Sequence, residues 1–190
     1  MLKRFKWASL GVTALTIALG TADHLSAQSA QSEEVKLTER VLLDGAVALL
    51  IPNTFALMSE EMLRLKYPSE RRPTVVFSNE RGSVNLAANL TSNLVRPDQI
   101  SELHKAMEST FKNLYPSATW YRSEVITQDG RGYFVLDLLT PAADTHIRNI
   151  MLGTSFRGRL LLFSFNVTRE LEKSWLDVGR KMLASVKVKE

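Results

Sequence analysis

The sequence predicts an α+β domain in which an antiparallel sheet of about six to eight strands is flanked by helices on both faces. Three observations carry this. Four turn signals divide the chain into hairpins: Asp44-Gly45, Glu80-Arg81-Gly82-Ser83, Asp129-Gly130 and Arg157-Gly158. Two segments, Tyr133-Phe134-Val135-Leu136 and Leu160-Leu161-Leu162-Phe163, are apolar at every position. A strand with one wet face would alternate, so these two belong in the middle of a sheet covered on both sides. Three helical segments each carry a single apolar stripe, and each should therefore lie against the sheet.

The elements follow in order. Thr38–Leu43 and Ala46–Ile51 form the first hairpin, because a glycine after aspartate supplies the positive φ of a tight turn. Ser59 caps a short helix from Glu60 to Lys66, with two carboxylates in its first turn and Pro68 beyond its end. Thr74–Asn79 and Val84–Thr91 make the second hairpin. A long helix starts with Pro97 and Asp98 and stops before Pro116; Ile100, Leu103, Met107, Phe111 and Leu114 trace its apolar face. Thr119–Gln128, Arg131–Thr140, His146–Phe156 and Arg159–Val167 run consecutively as a meander. Thr168 is the expected N-cap of a last helix whose face is Leu171, Trp175, Val178 and Met182, with Trp175 expected to be fully buried at its middle.

Ahead of this domain the chain reads as a secretory signal. Lys3, Arg4 and Lys6 precede an uncharged apolar run from Trp7 to Leu19, and Leu25-Ser26-Ala27 offers small residues for cleavage. As a helix the run covers roughly 20 Å against a hydrocarbon core of about 30 Å, too short to span comfortably. Residues 1–27 are thus expected to be cleaved, 28–37 to form a flexible polar leader, and 38–190 to form the single domain. Gln28 stands where a lipoprotein would carry its lipidated cysteine, so no lipid tether and no stable membrane insertion are expected. Removal of the signal takes three cations and one carboxylate with it, and the net charge falls from +4 to +2. That balance argues against a nucleic-acid partner. The chain has no cysteine, which excludes disulfides, thiolate metal sites and a cysteine nucleophile.

Several segments carry a resemblance: Pro52-Asn53-Thr54-Phe55, Met58-Ser59-Glu60-Glu61-Met62, Lys66-Tyr67-Pro68-Ser69-Glu70-Arg71-Arg72-Pro73, Thr110-Phe111-Lys112-Asn113-Leu114-Tyr115-Pro116-Ser117 and Gly158-Arg159-Leu160-Leu161. With the order of elements, they resemble the PsbP-like α/β/α superfamily, in particular a bacterial family of unknown function, over roughly Asp44 to Val186. The resemblance implies a module that binds other proteins, since the superfamily's characterised members do so and are not known mainly as enzymes. It transfers no particular partner residue by residue.

The residues themselves offer little chemistry. His104 and His146 fall on different elements, which is no basis for a metal site, and no cofactor motif is present. Ser109-x-x-Lys112 has the spacing of a Ser–Lys pair but none of the partner motifs, and Gly-x-Ser-x-Gly is absent. Asn85 and Asn89 share one strand face, and Ser164, Asn166 and Thr168 share the parity of another strand. They read equally as a polar groove or as solvated strand ends. The Lys66–Pro73 segment supplies the candidate partner-binding residues Tyr67, Arg71 and Arg72, because arginine and tyrosine are favoured interface anchors; its other reading is a stiff, solvated helix-to-strand connection whose arginines pair with nearby carboxylates. The expected function is a secreted, non-enzymatic module that binds another extracytoplasmic protein. The alternatives are a carrier of a small ligand or lipid, which needs a cavity of several hundred Å³, and an unrecognised hydrolase.

Overall fold

Three of the four turns reverse the chain with two residues at positive φ, Asp44-Gly45, Asp129-Gly130 and Arg157-Gly158, the geometry that matches the twist of the flanking strands. Leu43 is also left-handed, and the first loop widens to Leu43–Ala46. The computed structural model describes residues 35–68 and 72–189. The expected signal and nearly all of the leader lie outside the described residues, as does Arg71.

In chain order the elements are β1 (Leu37–Leu42), β2 (Val47–Pro52), β3 (Ala56–Leu57), α1 (Glu60–Lys66), β4 (Val75–Ser78), β5 (Val84–Leu94), α2 (Ile100–Leu114), β6 (Thr119–Gln128), β7 (Arg131–Pro141), β8 (His146–Phe156), β9 (Arg159–Thr168), α3 (Glu172–Ala184) and β10 (Lys187–Val188). Short 3₁₀ turns, Pro97–Gln99 and Arg169–Leu171, lead into α2 and α3. Seven strands form one antiparallel sheet in the order β3-β4-β5-β9-β8-β7-β6, with the four-strand meander as expected. The first hairpin does not join it. It pairs instead with β10 in a three-stranded sheet, β1-β2-β10, which the sequence did not announce. The short C-terminal strand reaches β2 because α3 delivers it there, and Ser185 Oγ accepts from Leu50 N at 2.8 Å.

Each face of the large sheet has its own cover. Leu86, Val135, Ile150, Phe163 and Phe165 meet the small sheet and α3 in the main core. Phe134, Leu136, Leu138, Leu160 and Leu162 meet Ile100, Leu103, Met107 and Phe111 of α2 on the opposite face. On that same face Met58, Met62, Leu63 and Tyr67, in and around α1, cover Val76 and Ala87. Ser59 caps α1 as expected, its hydroxyl accepting from Met62 N at 3.3 Å.

The structure corrects three details of the helices. Leu114, assigned to the apolar face of α2, is 55% exposed. Thr168 precedes the 3₁₀ turn with extended backbone, but its side chain makes no capping bond. Trp175 is only partly buried, its ring 5.2 Å from that of Phe55; the deepest residues of α3 are Gly179, Met182 and Leu183. The reason is Gly179. A Cβ there would come within 2.4 Å of the Phe165 ring, so α3 approaches β9 on its glycine face and rotates Trp175 toward the rim.

Candidate functional site

Two helices share one sheet face, and they do not meet. Between α1 and the C-terminal end of α2 the seam of β5, β9 and β8 stays uncovered, which leaves a groove of about 110 Å³. Register dictates its floor. Asn85 pairs with Asn166 and Asn166 with Asn149, so three asparagines form one row across β5, β9 and β8. The next row on the same face is Ala87, Ser164 and Met151, and beyond it Asn89 stands beside Leu162. Tyr67 and Pro73 form one wall; Phe111 and Tyr115 form the other, their rings stacked at 6.1 Å.

Each asparagine is oriented by a backbone carbonyl, which can only accept. Asn85 Nδ2 donates to Gly82 O at 3.4 Å, Asn166 Nδ2 to Ser164 O at 3.4 Å and to Asn85 Oδ1 at 2.9 Å, and Asn149 Nδ2 to Ile147 O at 2.8 Å and Thr140 Oγ1 at 2.9 Å. A carbonyl oxygen cannot donate, so each amide's nitrogen end is fixed. Asn85 Oδ1 also accepts from the Tyr67 hydroxyl at 3.4 Å. Asn149 Oδ1 and Asn166 Oδ1 receive no donor among the described residues. Neither is sealed off, since no buried side-chain polar atom among those residues lacks a partner.

The two features that the sequence offered separately thus converge. The groove gathers Asn85, Asn89, Ser164 and Asn166, leaving out Thr168, and Lys66, Tyr67 and Pro73 of the helix-to-strand connection stand at its wall. Tyr67 faces inward from that segment, and burial pushes its hydroxyl from 10.0 up to about 12. Arg72 donates from Nε to Tyr67 O at 3.1 Å and so holds the connection that carries the tyrosine. Lys66 lies on the groove wall with its ammonium pKa lowered by burial, and its stem crosses Gly82, where a Cβ would meet Lys66 Cε at 2.6 Å.

A second polar group went unnoticed in the sequence. Arg148 and Asp137, buried on β8 and β7, form a bidentate pair, and Arg148 Nη1 also reaches Glu172 Oε1 of α3 at 2.8 Å. A register shift between Trp120 and Arg122 in β6 accompanies the placing of Tyr121 over the guanidinium, 3.3 Å from ring centroid to Cζ. The available signal was a single carboxylate inside an otherwise apolar strand. A buried ion pair of this kind contributes little net stability, but loss of one partner is costly.

His104 of α2 contacts Ser123 of β6, with Nε2 2.8 Å from Oγ. Glu108, one turn further along α2, has its carboxyl held low chiefly by its hydrogen bond from Lys112 and also by the charge of His104. Among the described residues the imidazole donates to no carboxylate, the orienting contact of a nucleophile–base–orienter chain. Among the described residues no group of three or more His, Asp or Glu side chains is placed to hold a metal ion.

A seven-stranded antiparallel sheet with helices on both faces is a PsbP-like α/β/α fold, and solved structures share it. The chain matches the solution structure of cyanobacterial PsbP (CyanoP) from Synechocystis sp. PCC 6803 with a TM-score of 0.57 and 15% identity, over 86% of this chain and 97% of that one. It matches the crystal structure of LpqN, involved in cell envelope biogenesis of Mycobacterium tuberculosis, with a TM-score of 0.55 and 13% identity, over 82% and 91% of the two chains. No protein-family model and no curated protein sequence matches.

The buried tyrosine makes the groove wall sensitive to alkali. The unfolded chain loses the Tyr67 proton near pH 10 while the folded chain keeps it to about 12. Its contribution is therefore intact below pH 10 and lost progressively between pH 10 and 12, up to roughly 2–3 kcal/mol. Urea denaturation of the wild type and of Tyr67→Phe at pH 9 and pH 11.5 checks this. The wild type should lose more stability than the variant over that interval; equal losses would place the hydroxyl in solvent.

Proposed function

We propose that the protein is a non-enzymatic module that works outside the cytoplasm by binding another extracytoplasmic protein, with the groove between α1 and α2 as its recognition site. The observation that carries this is the convergence of Tyr67, three locked asparagines and two further aromatic rings on one uncovered strip of sheet. Buried polar side chains on a sheet face are costly to place, and here they are arranged around an opening instead of being replaced by aliphatic residues. The groove holds about 110 Å³, against the 300–1,000 Å³ usual for drug-sized ligands, and this weighs against a lipid carrier. A larger depression of about 410 Å³ at the start of α3 is open and lined mainly by charged residues, including Arg169, Lys173 and Asp177, a poor seat for an apolar chain.

Two features support the location. The N-terminal sequence has the form of a secretory signal. LpqN, a structural relative, is by its own description involved in cell envelope biogenesis. Mass spectrometry of the exported protein should find Gln28 as the first residue; an intact Met1 on that material would overturn processing.

Recognition is tested at Ser164, whose hydroxyl has no partner among the described residues and which lies at the centre of the groove floor. Ser164→Phe should fill the groove with a ring while changing the melting temperature by no more than a few degrees, as for other partly exposed sites. With crosslinked envelope extract as the source of partner, the wild type should retain a protein that the variant loses by at least tenfold. Equal capture by both would remove the groove from the binding surface.

A further inference from the structure

We infer that the group received by the groove is a single aromatic side chain tipped with a hydrogen-bond donor, the tyrosine or tryptophan of a segment of the protein partner. This deepens the reading of the groove as the recognition site and rests on it. Size comes first. A cavity of about 150 Å³ with apolar walls holds one benzene molecule, so about 110 Å³ open to one side suits one ring and little more. The walls suit a ring as well: Tyr67 stands on one side, Phe111 and Tyr115 on the other, with Met151 and Leu162 beneath. Aromatic pairs gain from offset or edge contact beyond the area they bury.

The floor then selects among rings. The amide nitrogens of Asn149 and Asn166 each spend both N–H groups on carbonyl or hydroxyl acceptors and Asn85 Nδ2 spends one on Gly82 O, so five of the row's six N–H groups are taken. What the row presents is Asn149 Oδ1 and Asn166 Oδ1, two oxygens without a donor among the described residues. A phenylalanine or leucine seated over them would strip their water and return nothing. A phenol O–H or an indole N–H satisfies the oxygens and leaves the ring to the walls. Tyrosine and tryptophan are also the residues that dominate binding energy when they fill desolvated pockets.

The test uses the side chains alone. The purified full chain, labelled with ¹⁵N, is titrated with p-cresol, 3-methylindole and toluene and followed by amide NMR. p-Cresol or 3-methylindole should shift the Asn149 and Asn166 side-chain amides and bind about tenfold more tightly than toluene, as one hydrogen bond predicts. In the double variant Asn149→Leu with Asn166→Leu the preference should disappear, with toluene binding at least as well. Equal affinity for p-cresol and toluene in the wild type overturns the donor-tipped anchor. So does the absence of any shift in the groove, even if Ser164→Phe still abolishes capture; that combination would keep the groove as the recognition site with a different occupant. Capture unaffected by Ser164→Phe would overturn both.

Discussion

A sheet covered on both faces leaves its polar side chains nowhere to go but to each other, and this constraint organises the protein. The large sheet meets it twice. On the α3 side Asp137, Arg148 and Glu172 close on one another, with Tyr121 laid over the guanidinium. On the two-helix side Asn85, Asn166 and Asn149 form a row in register, each amide nitrogen tied to a backbone carbonyl. The two solutions differ in one respect. The charged group is closed, whereas the asparagine row keeps two acceptor oxygens in hand.

That difference follows from how the faces are covered. The small sheet and α3 together span one face continuously through the main core. On the other, α1 packs on β4 and β5 while α2 packs on β7 and β6, and the strip between them belongs to neither. Tyr67 closes part of that strip and is itself held by Arg72 through its carbonyl. In the helix-to-strand connection that the sequence marked as a surface of interest, Tyr67 is the residue that turns inward.

Much of the fold was legible because it is written locally. Asp-Gly and Arg-Gly pairs state where strands reverse, and unbroken apolar runs state which strands are central. The stepping of Ile100, Leu103, Met107 and Phe111 states which side of α2 is buried. The site was legible only in pieces. The parity of Asn85 and Asn89 on one strand, and of Ser164 and Asn166 on another, follows from a period of two, but their alignment depends on the β5–β9 register, which pairs residues about eighty positions apart. The same holds for Arg148 and Asp137, brought together by the β7–β8 pairing. Trp175 failed for a related reason: a helical stripe says which residues are apolar, while the close approach allowed by Gly179 decides which of them goes deepest.

If the asparagine row is kept for recognition and not for the fold, the protein should not need it to fold. Asn149→Leu with Asn166→Leu leaves few orphans. Thr140 still donates to Ile147 O, and Asn85 Oδ1 keeps the Tyr67 hydroxyl. Replacing paired buried polar groups by apolar ones of similar shape is close to neutral or stabilising, and stability gained at a binding site commonly costs function. Chemical denaturation of this double variant at neutral pH is therefore the most direct measurement. Unchanged or raised stability, within about 0.5 kcal/mol or above it, is the predicted result. A loss of more than about 2 kcal/mol would show that the row holds the sheet together, and would contradict its assignment to binding.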